Sequence, residues 1–298
     1  MKRKKLYYVF FALGAVGAAA TIIFAYMLVL ESIDNNRGRD YYAALSAIAS
    51  ESQNQNHHSG ADSAGGPKTV LHDDPEDPRD NADAAADGGE TYFDNGDGYR
   101  DDIPDNAPTF APSRDFVLLK RFYPGIVAWI TLDQTVVDYP VMQGVDNEYY
   151  LTHLPDGVSH KMGSIFLDYA SAADFSDKNT IIYGHHMKSG DMFAVLELYK
   201  KQDFLEEHPV ILINTPFNDF KLEIFAGYVV DGETPVLERK FKNDEAFLDY
   251  INRIRRLSYV KSGVNVNAED KIVSLITCTY NFTNARFVVV GKLADASR

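Results

Sequence analysis

A thiol, an imidazole and a guanidinium are the groups in this 298-residue sequence best placed to do covalent chemistry together. Cys278 is the one cysteine, and it ends the apolar run Ile272-Val-Ser-Leu-Ile-Thr-Cys278, just before the polar stretch Thr279-Tyr-Asn-Phe-Thr-Asn284. A lone cysteine is ordinarily a small buried hydrophobe. In an extracellular compartment, however, an unpaired thiol risks oxidation, so one kept at a strand-loop junction points to a use. A thiol nucleophile needs a neighbour that makes or stabilises thiolate, and near neutral pH histidine serves. Of the eight histidines, His57, His58 and His72 lie in polar sequence that cannot hold a geometry, and His153, His160 and His208 carry no accompanying signal. His185-His186 is different, because it follows the β-branched run Thr180-Ile-Ile-Tyr183 and Gly184, where side chains project from a strand end. With Met187 the pair could form a weak metal site, but no third ligand is in view, and neither a metal nor a cofactor is expected. Arg286 begins the next apolar run, and a hairpin between the two runs would return its cation beside the thiol, available to a developing oxyanion.

These groups need strands to hold them. After Arg114 the sequence breaks into short β-branched and aromatic runs separated by turn residues: Ile126–Leu132, Thr135–Tyr139, Gly163–Leu167, Thr180–Tyr183, Val210–Ile213, Phe220–Val230, Lys271–Cys278 and Arg286–Leu293. Eight strands in this length predict a mostly β domain, a barrel or a sandwich. Helical spacing interrupts them at Asp115–Phe122, at Met192–Tyr199 and, best formed, at Asn243–Leu257, where Asn243 or Asp244 can cap and Phe247, Tyr250, Ile251, Ile254 and Leu257 make one face. The other face, with Arg253, Arg255 and Arg256, reads as solvated charge.

Charge is segregated along the chain. The formal charge is −14, yet 15 acidic and 4 basic residues between Glu51 and Arg114 account for −11 of it, leaving −3 for the rest. Residues 51–112, sparse in apolar groups, read as an acidic disordered linker. Asp94-Asn95-Gly96-Asp97-Gly98 within it resembles part of a calcium loop but lacks the bidentate glutamate that should follow. Lys2, Arg3, Lys4 and Lys5 precede an uncharged run, Leu6–Leu30, long enough for a transmembrane helix. A cleaved signal peptide ending at Ala18-Ala19-Ala20 is the competing reading, disfavoured because apolar residues continue to Leu30. The expected organisation is therefore a cytoplasmic basic tail (1–5), a span (6–30), a juxtamembrane segment (31–50), the linker (51–112) and an extracellular catalytic domain (113–298). Within the juxtamembrane segment, residues 40–50 could form a short helix. The acidic balance argues against nucleic acid, and a single cysteine excludes an intramolecular disulfide framework.

Taken as a set, Leu275-Ile-Thr-Cys278, Ala285-Arg-Phe-Val-Val-Val-Gly-Lys292 and Tyr183-Gly-His-His-Met-Lys188 followed by Met192-Phe193 resemble the sortases, membrane-anchored cysteine transpeptidases of mainly Gram-positive bacteria. The helix inserted before the cysteine strand and the segment Pro124-Gly-Ile-Val-Ala-Trp-Ile130 make the resemblance one to class B. Ser274 stands where many members have threonine, and the long acidic linker is unlike compact members. The resemblance implies a closed eight-stranded sortase-type β-barrel with an N-terminal helix. It further implies Cys278 as nucleophile, His185 as catalytic histidine and Arg286 as electrostatic partner, with Asn147, Leu151, Tyr183 and Thr277 lining the substrate groove.

The implied activity is cleavage of a C-terminal sorting motif of secreted proteins after its threonine, through a thioester, and transfer of the acyl group to a peptidoglycan amine. Two neighbouring enzyme readings are polymerisation of pilins and a cysteine protease whose acceptor is water. A binding module on a catalytically dead barrel is the reading from another class, and it predicts an unreactive thiol.

Overall fold

The computed structural model describes residues 2–58, 114–232, 237–279, 281 and 284–296, excepting the side chains of 2–20, 22 and 51–58. A long helix, α1 (Lys2–His58), is followed by α2 (Phe116–Phe122) and by eight strands: β1 (Ile126–Thr131), β2 (Asp138–Met142), β3 (Ile165–Leu167), β4 (Asn179–Tyr183), β5 (Val210–Asn214), β6 (Asp219–Asp231), β7 (Lys271–Cys278) and β8 (Ala285–Asp295). The short α3 (Gln202–Glu207) precedes β5, and α4 (Asp244–Leu257) lies between β6 and β7. The strands close into a barrel in the order β1-β2-β3-β4-β7-β8-β6-β5. Two neighbouring pairs are parallel, β2 with β3 and β4 with β7, and the rest are antiparallel. The expected mostly β fold with eight strands is therefore the observed one, as a closed barrel.

Helices explain why several strands read as continuous apolar runs instead of alternating. Inside the barrel, Ile130, Val141, Ile182, Val273, Leu275, Phe287 and Val289 fill the core. Outside it, Phe247, Tyr250, Ile251 and Ile254 of α4 pack on Ile181, Ile272, Ile276, Val288 and Val290. Leu45 and Ala49 of α1 and Phe116 and Leu119 of α2 cover Ile126, Trp129, Met142 and Phe166. With both faces covered, alternation disappears from the sequence. Asn243 caps α4 by accepting from the Ala246 N–H at 2.9 Å, as its residue type predicts.

Several expectations shift. The run Thr135–Tyr139 was expected as a strand, but Gln134 is left-handed (φ 58°) and the Leu132 N–H donates to Val137 O, so its β-branched residues make a turn. Pairing begins only at Asp138 and continues through Pro140, whose missing N–H is tolerated because β3 pairs with β2 from Val141 on. The expected helix at Met192–Tyr199 is a 3₁₀ stretch, Ala194–Lys200, entered through left-handed Met192. Arg255 is not solvated charge: it lies 5.0 Å over the Phe225 ring and donates to the Val264 carbonyl.

The N-terminal region differs most. The short helix expected at 40–50 is part of the continuous α1. Among the described residues no helix is long and apolar enough to cross a membrane. Most side chains of the expected span, Leu6–Leu30, lie outside the described residues, as does the expected linker from residue 59 through 112 with its Asp94–Gly98 string.

Candidate active site

Parallel pairing brings the reactive residues together. Because β4 and β7 run in the same direction, their C-terminal ends reach the same rim, with Tyr183 beside Ile276 and the Gly184 N–H donating to Ile276 O at 3.0 Å. His185 follows one strand end and Cys278 is the other. From Cys278 the chain turns back into β8, and the antiparallel register sets Arg286 directly opposite Cys278. Gly184 is required at the turn into the histidine loop, since a Cβ there would lie 2.4 Å from Ile165 Cδ1 and 2.6 Å from Phe193 Cδ2.

All seven expected residues line one cavity of about 430 Å³: Asn147, Leu151, Tyr183, His185, Thr277, Cys278 and Arg286, with Phe166, Gly184, Gly232 and Ile276 completing it. His185, Cys278 and Arg286 are each half-buried, accessible to a substrate yet partly withdrawn from water. The His185 Nε2–H donates to the Leu151 carbonyl at 2.6 Å. A carbonyl can only accept, so Nε2 carries the proton, and in the neutral ring Nδ1 is the nitrogen left to accept one. Arg286 donates to the carbonyls of Asn284 and Ala285 at 3.3 and 3.2 Å. No carboxylate pairs with Arg286 among the described residues, so its charge is not neutralised within the site. Thr277 is buried, and its hydroxyl has no partner among the described residues.

The second histidine of the pair is engaged in structure. His186 Nδ1–H donates to the Cys278 carbonyl at 2.9 Å, and its Nε2 lies 3.7 Å from Glu197, which also accepts from Thr279 and Lys200. This ties the backbone around the thiol to the 3₁₀ stretch.

Two residues of the site were missed by sequence reasoning. Asp168, buried just beyond β3, accepts from Asn147 Nδ2 at 2.8 Å and from the Tyr183 hydroxyl at 3.5 Å, and pairs with Arg239 at 3.2 Å. Burial and the adjacent Asp168 charge push the Tyr183 hydroxyl up to about 12. Asp168 and Arg239 line a second cavity of about 280 Å³ that shares Tyr183, Gly232, Ile276 and Arg286 with the first. Asn147 and Tyr183 are thus fixed on a buried carboxylate. Nothing local marks Asp168 or Arg239, because each matters only through the other.

A rim that holds one thiol on a closed eight-stranded barrel is the setting of a cysteine transpeptidase, and comparison with known proteins identifies the kind. The Sortase domain family model matches residues 130–294, and the chain belongs to the sortase family. It is 38% identical to Sortase B of Listeria monocytogenes over 177 residues, 59% of this chain and 72% of that one. It is 35% identical to Sortase B of Staphylococcus aureus over 184 residues, 61% and 75% of the two chains. The solved Staphylococcus aureus sortase B–substrate complex superposes with a TM-score of 0.58 at 35% identity, covering 61% of this chain and 85% of that one. The class B resemblance is thereby borne out, and the chain is a cysteine transpeptidase of the type that attaches surface proteins to the cell wall.

Proposed function

We propose that Cys278 is the nucleophile of this transpeptidase, His185 its acid and base, and Arg286 the group that stabilises charge on the substrate. The observation that carries this reading is the convergence of the three side chains on one cavity at the shared rim of β4, β7 and β8. The Cys278 thiolate attacks the threonine carbonyl of a sorting motif, and the resulting oxyanion meets the unneutralised Arg286 guanidinium. As the C–N bond breaks, the His185 imidazolium gives its proton to the departing amine and a thioester remains on Cys278. An incoming amine then loses a proton to the neutral imidazole and attacks the thioester carbon. The C–S bond breaks, the thiolate is regenerated and a new amide carries the surface protein.

The sorting motif is of the Asn-Pro-X-Thr type or a related Pro-X-Thr form, read by the groove of Asn147, Leu151, Tyr183 and Thr277. The acceptor is a peptidoglycan amine in a Gram-positive wall. Leu6–Leu30 spans the membrane with the basic N-terminus inside and the catalytic domain outside, and the unbroken helical backbone of α1 through this run supports it. Such an anchor keeps the enzyme where secreted substrates emerge.

The test uses the full chain with a library of sorting-motif peptides and mass spectrometry of the protein. The parent accumulates an acyl adduct on Cys278 that added amine discharges into a transfer product. Cys278→Ala and His185→Ala each abolish cleavage. Undiminished turnover by Cys278→Ala, or hydrolysis that dominates at high amine concentration, refutes the assignment.

A further inference from the structure

The part of α1 that follows the uncharged run lies against the barrel, at the loop that carries the histidines. Arg39 Nε donates to both oxygens of Asp191, at 2.8 and 3.0 Å, and Arg39 Nη2 donates to the Ser189 carbonyl at 3.1 Å. The Asp191 side chain is 6% exposed, and Ser189 Oγ also donates to it, at 2.6 Å. A carboxylate this buried depends on its cation. One turn further along, Tyr42 stands edge-on to Tyr139, with ring centroids 5.0 Å apart, and the Tyr139 hydroxyl accepts from the Met192 N–H at 3.2 Å. The Tyr42 hydroxyl itself donates to Gly163 O at 2.5 Å. Gly163 packs under Leu151, where a Cβ would lie 2.5 Å from the carbonyl oxygen that accepts from His185.

The chain therefore grips the segment 184–192 from outside the barrel. Asp191 and Met192 are held by α1 directly and through Tyr139, while the His185 acceptor rests on a glycine that α1 also holds. A second observation concerns how α1 is joined to the barrel. Ser46 of α1 and Arg114, on opposite sides of residues 59–113 in sequence, both donate to Asp138. One carboxylate on β2 is thus the shared partner of the described residues on either side of that connection.

We propose that residues 31–50 are a docked strut belonging to the catalytic domain, with Arg39 a positioning residue for the loop that carries His185, and that the connection through 59–113 is not what holds α1 to the barrel. The first half of this proposal rests on the assignment of His185 above. The strut would couple the membrane anchor to the active site without an intervening flexible tether.

A protease recognition site placed at Gly88-Gly89 in the full chain, in detergent, tests both halves. After cutting, the fragment bearing α1 and the fragment bearing the barrel co-elute, and peptide cleavage keeps the uncut kcat. Fragments that separate on cutting overturn docking. In the uncut chain, Arg39→Ala lowers kcat about tenfold with KM within twofold, Arg39→Lys recovers most of the loss, and Arg37→Ala on the exposed side of the helix changes nothing. A kcat for Arg39→Ala within twofold of the parent overturns the positioning role. Should Arg39→Ala fold poorly, Tyr42→Phe, which deletes only the donor to Gly163, lowers kcat by severalfold at unchanged melting temperature, and an unchanged kcat counts against the strut. If the parent itself cleaves no peptide, the functional assignment fails instead, and co-elution of the cut fragments still decides docking.

Discussion

The Thr277 hydroxyl, buried with no partner among the described residues, carries a desolvation cost that an isosteric methyl would not. Thr277→Val is therefore expected to stabilise the fold by about 1 kcal/mol, read as a rise in melting temperature. Arg286→Ala should reduce kcat by about a hundredfold, in line with loss of one oxyanion donor, and steady-state kinetics with a sorting-motif peptide checks it. Asp138 sets a pH dependence. Burial opposes its charge, but donors from Ser46 and Trp129, the charge of Arg114 and a bond from Thr131 outweigh this and hold its carboxyl below the ordinary 3.8. Its contribution is then fully present above the unfolded value, about 3.9, and is lost as pH falls through the lower folded value. Thermal melts from pH 6 down to pH 2 should show a loss of stability below about pH 4 that Asp138→Asn flattens, while that variant is the less stable at neutral pH. The shared placement of Cys278, His185 and Arg286 on one cavity was legible because each sits at a strand end marked by its own local sequence. The Leu151 carbonyl that orients His185 was not, since a backbone acceptor has no sequence signature.

Among the elements, the β4–β7 pair depends on a buried polar link. Ser274 Oγ donates to Asn179 Oδ1 at 2.9 Å, and Asn179 Nδ2 donates to Glu238 O at 2.9 Å, tying both strands to the connection that carries Arg239. Ser274→Val leaves the Asn179 oxygen unpaired and is expected to cost about 1–3 kcal/mol, measured by chemical denaturation. Asn243→Ala should cost about 1 kcal/mol through the lost cap of α4. The cap and the apolar face of α4 were readable because both are local, and seven strands were found within two residues of their observed bounds. The turn at Thr135–Val137 was misread because β-branched composition says nothing about a left-handed Gln134. The length of α1 was missed for a different reason: its polar second half becomes a buried face only against the barrel, where Tyr42, Leu45 and Ala49 are covered.

Across the whole molecule, charge separates from catalysis. Of the −14 of the sequence, −11 falls between Glu51 and Arg114, while residues 1–50 carry +3 and residues 115–298 carry −6. Cleavage of an uncharged peptide should vary by less than about twofold between 50 and 500 mM salt, because the acidic field of the domain does not steer a substrate without net charge; a steep decline would contradict this. Strand β7 has a further consequence. It is laddered on both sides, to β4 from Ile272 through Ile276 and to β8 along its full length, with Cys278 at its end. Under the mechanism proposed above, a protein chain captured on that sulfur while its other end is still being pulled or threaded transmits tension into the strand along its axis. Both ladders then resist in shear, all their hydrogen bonds loaded together, instead of peeling one at a time. The thiol is fixed to the barrel at a mechanically strong point, suited to holding a substrate under force until an amine releases it.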